Sequence, residues 1–313
     1  MEISILKVLT YFDVFSYPLT AEEIIFFLDR STTKKEAIVA LNDLAKARQL
    51  YHFNNFYSVT NDPALITRRL NGNKLAVGHI KRAISVAKFL YWLPYIKGIA
   101  ISGSLSKNFA DENSDLDFFI ITAANRLWIV RIIYSILYKI VSLAGIKNWF
   151  CLNYFVDERG MEIKERNMFT AIELSTLMPL KGKTIFHNFF HSNSWVCEYL
   201  PNYSPNYTYL KDASPVLPKR IAEWTMNFKY GSRVNNNLLS FFKKRFEKQT
   251  AENKKSEKGL TIGAYKAEKH ACKPLPQYFQ PSILLKFEER FKPIKEKYLK
   301  QLVSREKILA SND

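Results

Sequence analysis

The sequence predicts an α+β protein, a small mixed sheet flanked by helices on either side, and four stretches carry that prediction. Ile99-Ala100-Ile101-Ser102-Gly103-Ser104 reads as an apolar strand running into a Gly-Ser turn that opens a short helix. Ser114-Asp115-Leu116-Asp117-Phe118-Phe119-Ile120-Ile121 reads as a second apolar strand with two carboxylates two positions apart. Strand side chains alternate, so Asp115 and Asp117 are expected on one face and Leu116 in the core. Leu127 to Ile146 reads as a crossover helix and Trp149 to Val156 as a third strand.

Composition bounds the rest. With 313 residues, 47% of them hydrophobic, the chain can build two or three packed domains, and global disorder is excluded. A formal net charge of +17 predicts attraction to polyanions and leaves the fold open. Cys151, Cys197 and Cys272 are odd in number and lack a C-x-x-C pair, which signals neither a disulfide framework nor a zinc knuckle. With no signal-peptide pattern at Met1 to Lys7, a cytoplasmic protein is expected. Leu127 to Ile146 is apolar enough to resemble a membrane span, but Arg131 and Lys139 would be costly in lipid, so a crossover helix on a sheet is preferred.

Four segments follow in order: 1–62, 63–160, 161–228 and 229–313. In the first, the apolar spacing of Ile5, Leu6, Leu9 and Phe12 predicts a helix. Thr20 with Glu23 reads as a capping box opening a second helix, and a third follows Ser31 to Thr33 with Ala37, Ala40, Leu41 and Leu44 inward. Leu50 to Val59 reads as two short strands around an Asn54-Asn55 turn. Three helices and a hairpin resemble a winged helix-turn-helix, which would aim Lys34 and Lys35 at DNA; docking a protein or covering a neighbouring site stays open.

Pro63 begins the second segment with a basic helical stretch to about Leu93. After the third strand, helices are expected at Phe169 to Met178, Thr184 to Tyr199 and Leu217 to Phe228. Lys229 to Lys273 reads as a basic surface helix followed by a loose linker, and Pro281 to Lys300 as a last helix. His187 and His191 sit four apart, and Trp195, Tyr199, Tyr203, Tyr207 and Tyr209 form an aromatic run; surface histidines and core packing are preferred over a metal site and a stacking platform.

The Gly-Ser turn and the following Asp-x-Asp strand resemble the signature of the nucleotidyltransferase superfamily that includes DNA polymerase beta, and are most similar to its minimal and small-molecule members. The resemblance covers Ile99 to Thr122 and extends to about Val156. It implies that Gly103 and Ser104 hold the triphosphate of an NTP and that Asp115 and Asp117 bind two Mg²⁺ ions. The residues support this independently: Gly103 lets the backbone approach a phosphate, Ser104 can donate to it, Lys107 adds a positive charge, and Mg²⁺ favours carboxylate oxygens.

The family's third carboxylate falls on a strand where this chain offers Asn153, which cannot take a proton; Asp157 or Glu158 at the strand end are the alternatives. The expected reaction is Mg²⁺-dependent transfer of an NMP from an NTP to an unidentified acceptor hydroxyl, with Asp115, Asp117 and Asn153 at the reacting centre. The alternative is a catalytically impaired member acting as a DNA-binding or regulatory module. Peripheral membrane contact through the basic carboxyl-terminal segment also stays open.

Overall fold

The computed structural model describes residues 1–143, 145, 147–210, 217–226, 231–256, 265–273 and 279–310. Three helices, α1 (Glu2–Asp13), α2 (Ala21–Phe27) and α3 (Lys34–Lys46), and a hairpin of β1 (Tyr51–Phe53) and β2 (Phe56–Ser58) form the amino-terminal unit. Its boundaries have local causes. Thr20 and Thr33 each accept from the backbone N–H three residues on, while Glu23 and Glu36 reach back to the capping residue, so both helix starts satisfy their free donors reciprocally. Asn54 turns the hairpin at a φ of +54°, which asparagine tolerates.

The basic stretch after Pro63 is a single helix, α4 (Ala64–Leu90). Then come β3 (Ile96–Ile101), the one-turn α5 (Gly103–Ser106), β4 (Asp117–Thr122), α6 (Leu127–Leu143), a 3-10 turn at Lys147–Trp149, and β5 (Cys151–Asp157). The chain continues through α7 (Met168–Ser175), β6 (Met178–Lys181), α8 (Lys183–Ser192), α9 (Val196–Tyr199), α10 (Leu217–Met226) and α11 (Gly231–Ser256). It ends with β7 (Lys266–Ala267), β8 (Ala271–Lys273) and α12 (Phe279–Ala310). Six strands make one mixed sheet in the order β6-β3-β4-β5-β8-β7, in which β4 and β5 are parallel and the other neighbours antiparallel.

Several elements differ from the sequence reading. The helix expected to reach Met178 stops at Ser175, because Met178 already belongs to β6. Pro179 disguised that strand, yet β6 lies at the sheet edge, where a missing N–H is tolerated. The helix expected over Thr184 to Tyr199 breaks at buried Asn193, whose side chain accepts from Ile163 N at 2.8 Å and donates to Met161 O at 2.9 Å. The basic segment does hold a long helix, α11, but 265–273, read as linker, is a β7-β8 hairpin that adds to the sheet and buries Cys272. The remainder of that linker, 257–264, lies outside the described residues, as do 227–230 at the end of the helix expected to Phe228. Pro293 sits inside α12.

Alternation along the strands divides the apolar core into two layers. Phe118, Ile120, Leu152 and Phe155 face one layer, which α4, α6 and α11 cover. Phe119, Ile121 and Val156 face the other, which contains α7, α8, α12 and the amino-terminal unit: Phe12, Tyr17 and Leu41 share it with Ile172 and Phe189. The unit at 1–62 therefore has no separate core. As a crossover helix should, α6 buries Leu127, Val130 and Tyr134, and Trp128 packs on Phe242 of α11 with ring centroids 5.3 Å apart. No helix among the described residues is long and apolar enough to cross a membrane.

A buried clamp joins α4 to the amino-terminal unit. Arg69, only 3% exposed, meets Glu23 at 2.6 Å, donates to Pro18 O at 3.2 Å and lies 3.7 Å over the Tyr17 ring. Arg69→Ala would leave Glu23 and the Pro18 carbonyl without this partner, so it is expected to destabilise the protein by about 3 kcal/mol. Urea denaturation measures this, and a loss below about 1 kcal/mol, typical of an exposed pair, would contradict the clamp.

Candidate active site

β3 ends where the site begins. Ser102 N donates to Asp117 O at 2.9 Å, which sets the turn after β3 against the first residue of β4. Gly103 then takes a φ of +67°, and a Cβ there would lie 2.5 Å from Asp117 Oδ2. Two independent demands therefore require glycine: the left-handed backbone and the carboxylate packed against it. The first N–H groups of α5 follow at once, beyond the reach of helical carbonyls.

This turn floors a cavity of about 770 Å³. Ser102, Gly103, Ser104, Lys107, Asp115, Asp117 and Asn153 all line it, so the residues singled out from the sequence converge on one place. Leu116, between the two acids, is 1% exposed and lies in the opposite core layer. β4 starts at Asp117, so Asp115 precedes the strand and is exposed to solvent. A register shift between Phe118 and Phe119 in the pairing with β5 lets Asn153 and Tyr154, adjacent in sequence, both line the cavity.

Burial raises the Asp117 carboxyl to about 6, with neighbouring Asp115 adding to the effect and a hydrogen bond from Cys151 opposing it. Burial likewise pushes the Cys151 thiol well above its ordinary value. Ser102 Oγ is buried without a hydrogen-bond partner among the described residues. Half-buried Asp117 and exposed Asp115, beside an unsatisfied hydroxyl and the first N–H groups of α5, are oxygen ligands of the kind a hard divalent cation would take. No three His, Cys, Asp or Glu side chains among the described residues gather into a metal cage.

The two alternatives for the third carboxylate fall at the wrong end of the sheet. Asp157 pairs with Thr122, five residues along β4 from Asp117, or about 17 Å at strand rise. It is fully buried, accepting from Asn125 N at 2.9 Å and bonding His270 Nδ1 at 2.9 Å, while Glu158 accepts from Ala124 N at 3.0 Å. Both fasten the loop after β4.

A different acid, unmarked in the sequence reading, lines the cavity: Glu173 of α7. It accepts from Lys107 Nζ at 2.8 Å and is close enough to raise the Asp117 pKa. Lys107 also donates to Gly103 O at 3.1 Å, so it ties the turn to α7. The sequence signal for Glu173 is faint, one acid in an otherwise apolar helix. His187 bonds the Tyr207 hydroxyl at 2.7 Å and, like the aromatic run, stands outside the cavity; Trp195 is buried, and Tyr199, Tyr203 and Tyr207 pack against the core.

The comparisons with known proteins agree with this geometry. Residues 83–166 match the family described as nucleotidyltransferase domain, which takes in the last two turns of α4, the Gly103 turn, both acids and β5. Neither the curated proteins nor the solved structures provide a match. The family match does not reach the three helices and hairpin at the amino terminus, nor Glu173. Over residues 83–166, about a quarter of its length, the chain is similar to the nucleotidyltransferase domain family.

Proposed function

We propose that the chain is a Mg²⁺-dependent enzyme that moves a nucleoside monophosphate from an NTP to an acceptor hydroxyl. The observation that carries this reading is the packing of the Gly103 turn against Asp117, with Asp115 opening into the same cavity. Donors for phosphate and ligands for a divalent cation are thereby adjacent. The Ser102 and Ser104 hydroxyls and the first N–H groups of α5 hold the triphosphate. Asp115 and Asp117 hold the cation. The chemistry a divalent cation held there would supply is charge neutralisation at the phosphates, activation of the attacking hydroxyl and stabilisation of the departing pyrophosphate.

The acceptor oxygen forms a bond to the α-phosphorus as the bond from that phosphorus to the bridging oxygen breaks, and pyrophosphate leaves with the electron pair. The acceptor proton needs a base. Asn153 cannot take it, and Asp111, the other further acid in the cavity, is exposed and pairs with Arg68 at 3.6 Å. Glu173 is assigned that role, with Lys107 orienting its carboxylate.

Asp115→Ala and Asp117→Ala are each expected to abolish Mg²⁺-dependent pyrophosphate release, and turnover retained in both would remove these residues from the mechanism. Gly103→Ala should impair release as severely, because its methyl group displaces the Asp117 carboxylate. Glu173→Gln is expected to lower kcat by about 100-fold with nucleotide affinity preserved, as loss of a general base requires. A kcat near the parent value would show that Glu173 serves only to hold Lys107.

The Asp117 carboxyl also fixes a pH dependence. Its folded pKa of about 6 lies above the unfolded value, so the native state binds the proton more tightly. This contribution to metal-free stability is full below the unfolded pKa and is lost as pH rises through about 6. Asp117→Asn removes the buried charge, so in chelator its urea midpoint is expected to exceed the parent's at about pH 8 and to converge with it towards about pH 4. A gap that does not grow between those limits would mean that Asp117 is adequately solvated or paired.

A further inference from the structure

The cavity is far more apolar than binding a triphosphate requires. Beyond the acids its walls are aromatic. On one side Phe12 and Tyr17 of the amino-terminal unit lie 5.8 Å apart, and Tyr17 meets Phe109 edge-on at 5.7 Å. On the sheet side Phe119 stacks on Tyr154 at 5.3 Å and 13°. Phe119 is two residues along β4 from Asp117 on the same face, so this platform begins about 7 Å from the acids.

The cations in the cavity already have partners. Arg68 donates to Phe15 O and Ser16 O at 3.2 and 3.1 Å, Lys107 is bonded to Glu173, and Lys273 lies 3.4 Å from Glu165 and 4.8 Å over the Tyr154 ring. A nucleic-acid strand is held by rows of cations that replace its counterions, and this cavity presents no such row among the described residues. Its 770 Å³ falls within the range of about 300–1,000 Å³ usual for small-molecule sites.

We infer that the acceptor is a small hydroxyl-bearing molecule with a planar, apolar body, held between the Phe12-Tyr17-Phe109 wall and the Phe119-Tyr154 platform with its hydroxyl turned towards Asp115 and Asp117. The inference rests on the nucleotidyl-transfer reading and narrows it: polynucleotide ends and protein surfaces are excluded as acceptors. It also gives the amino-terminal unit a direct part in the site, as one wall of the acceptor chamber.

Naphthol, a flat apolar body with one hydroxyl, is the probe. The full chain is titrated with naphthol by fluorescence, alone and loaded with Mg²⁺ and each of the four NTPs, whose own binding is followed by calorimetry. In parallel, α-labelled NTPs are incubated with the dialysable and the macromolecular fractions of a cell extract. Naphthol is expected to bind the nucleotide-loaded protein, and label is expected in the dialysable fraction. Phe15→Asp sets a carboxylate in the half-buried rim of the aromatic wall and should weaken naphthol binding by about tenfold or more. Far-ultraviolet circular dichroism checks that this variant folds, and Phe15→Ser repeats the test without the charge.

Displacement of naphthol by bound nucleotide would assign the aromatic end to the nucleobase and overturn the inference. Naphthol binding unaffected by either Phe15 substitution would overturn it too. Label confined to macromolecules, with NTP binding intact, would overturn the acceptor class and leave nucleotidyl transfer standing. Failure to bind any NTP would defeat the transfer reading itself.

Discussion

The close approach of the Gly103 backbone to the Asp117 carboxylate is the constraint on which the site depends. It is made possible by the antiparallel pairing of β3 with β4, which brings the end of one strand beside the start of the other. The hydrogen bond from Ser102 N to Asp117 O fixes the height of the turn, and the absence of a Cβ fixes its distance. The residues proposed to meet phosphate and Asp117 then share one rigid origin in the sheet. Because the ladder sets the turn and Asp117, their separation does not depend on loop conformation, whereas Asp115 precedes the strand.

Three contacts brace this origin from the other side. Lys107 bonds both the Gly103 carbonyl and Glu173, Ser106 Oγ reaches Thr176 Oγ1 at 3.5 Å, and the Tyr17 hydroxyl donates to the Lys107 carbonyl. The turn is thus held by α7 on one flank and by the amino-terminal unit on the other. The Arg69 clamp explains how a unit outside the matched domain can lend Phe12 and Tyr17 to the cavity: it anchors Tyr17 and Glu23 to α4, which also packs on β3. The sequence leaves open whether this unit reads DNA, docks a protein or covers a neighbouring site; in the structure its Phe12, Phe15 and Tyr17 line the cavity. Lys34, one of the two residues that a winged-helix reading would turn towards DNA, is exposed and pairs with Glu22 at 2.6 Å.

What the sequence disclosed and what it hid follow from the range of the interactions. The strands around the turn and the two capped amino-terminal helices were legible because each is specified within a few residues by alternation or by a capping box. The strand period predicts Asp115 and Asp117 on one side of Leu116; β4 begins only at Asp117, and Asp115 reaches the same cavity from the loop before it. Elements defined by distant partners were not legible. β8 is three residues long, and only Cys272 of it is buried, so nothing local distinguishes it from the basic segment around it until it pairs with Phe155 and Val156. Glu173 is separated from Lys107 by 66 residues, and no periodicity links a helix acid to a turn that far away. Asp157 misled for the opposite reason: acid and strand end are visible, but Asp157 lies four residues beyond Asn153 on a strand parallel to β4, which carries it to the end far from Asp117.

The parallel pairing also bears on how a basic protein maintains an acidic site. The net charge of +17 is carried in part by exposed residues such as Lys74, Lys81, Arg82 and Lys88 of α4 and Lys243, Lys244 and Arg245 of α11. Both helices cover the sheet layer opposite the cavity. Charges so placed attract an anionic nucleotide over a distance comparable with the Debye length, about 8 Å at physiological salt, while the sheet keeps them from pairing with Asp115 and Asp117. Were those acids neutralised by lysine or arginine, the cavity would have no need of a divalent cation and no means of recruiting one. Asp117, its pKa raised chiefly by burial, lines the cavity on one face of the sheet, and the basic helices cover the other.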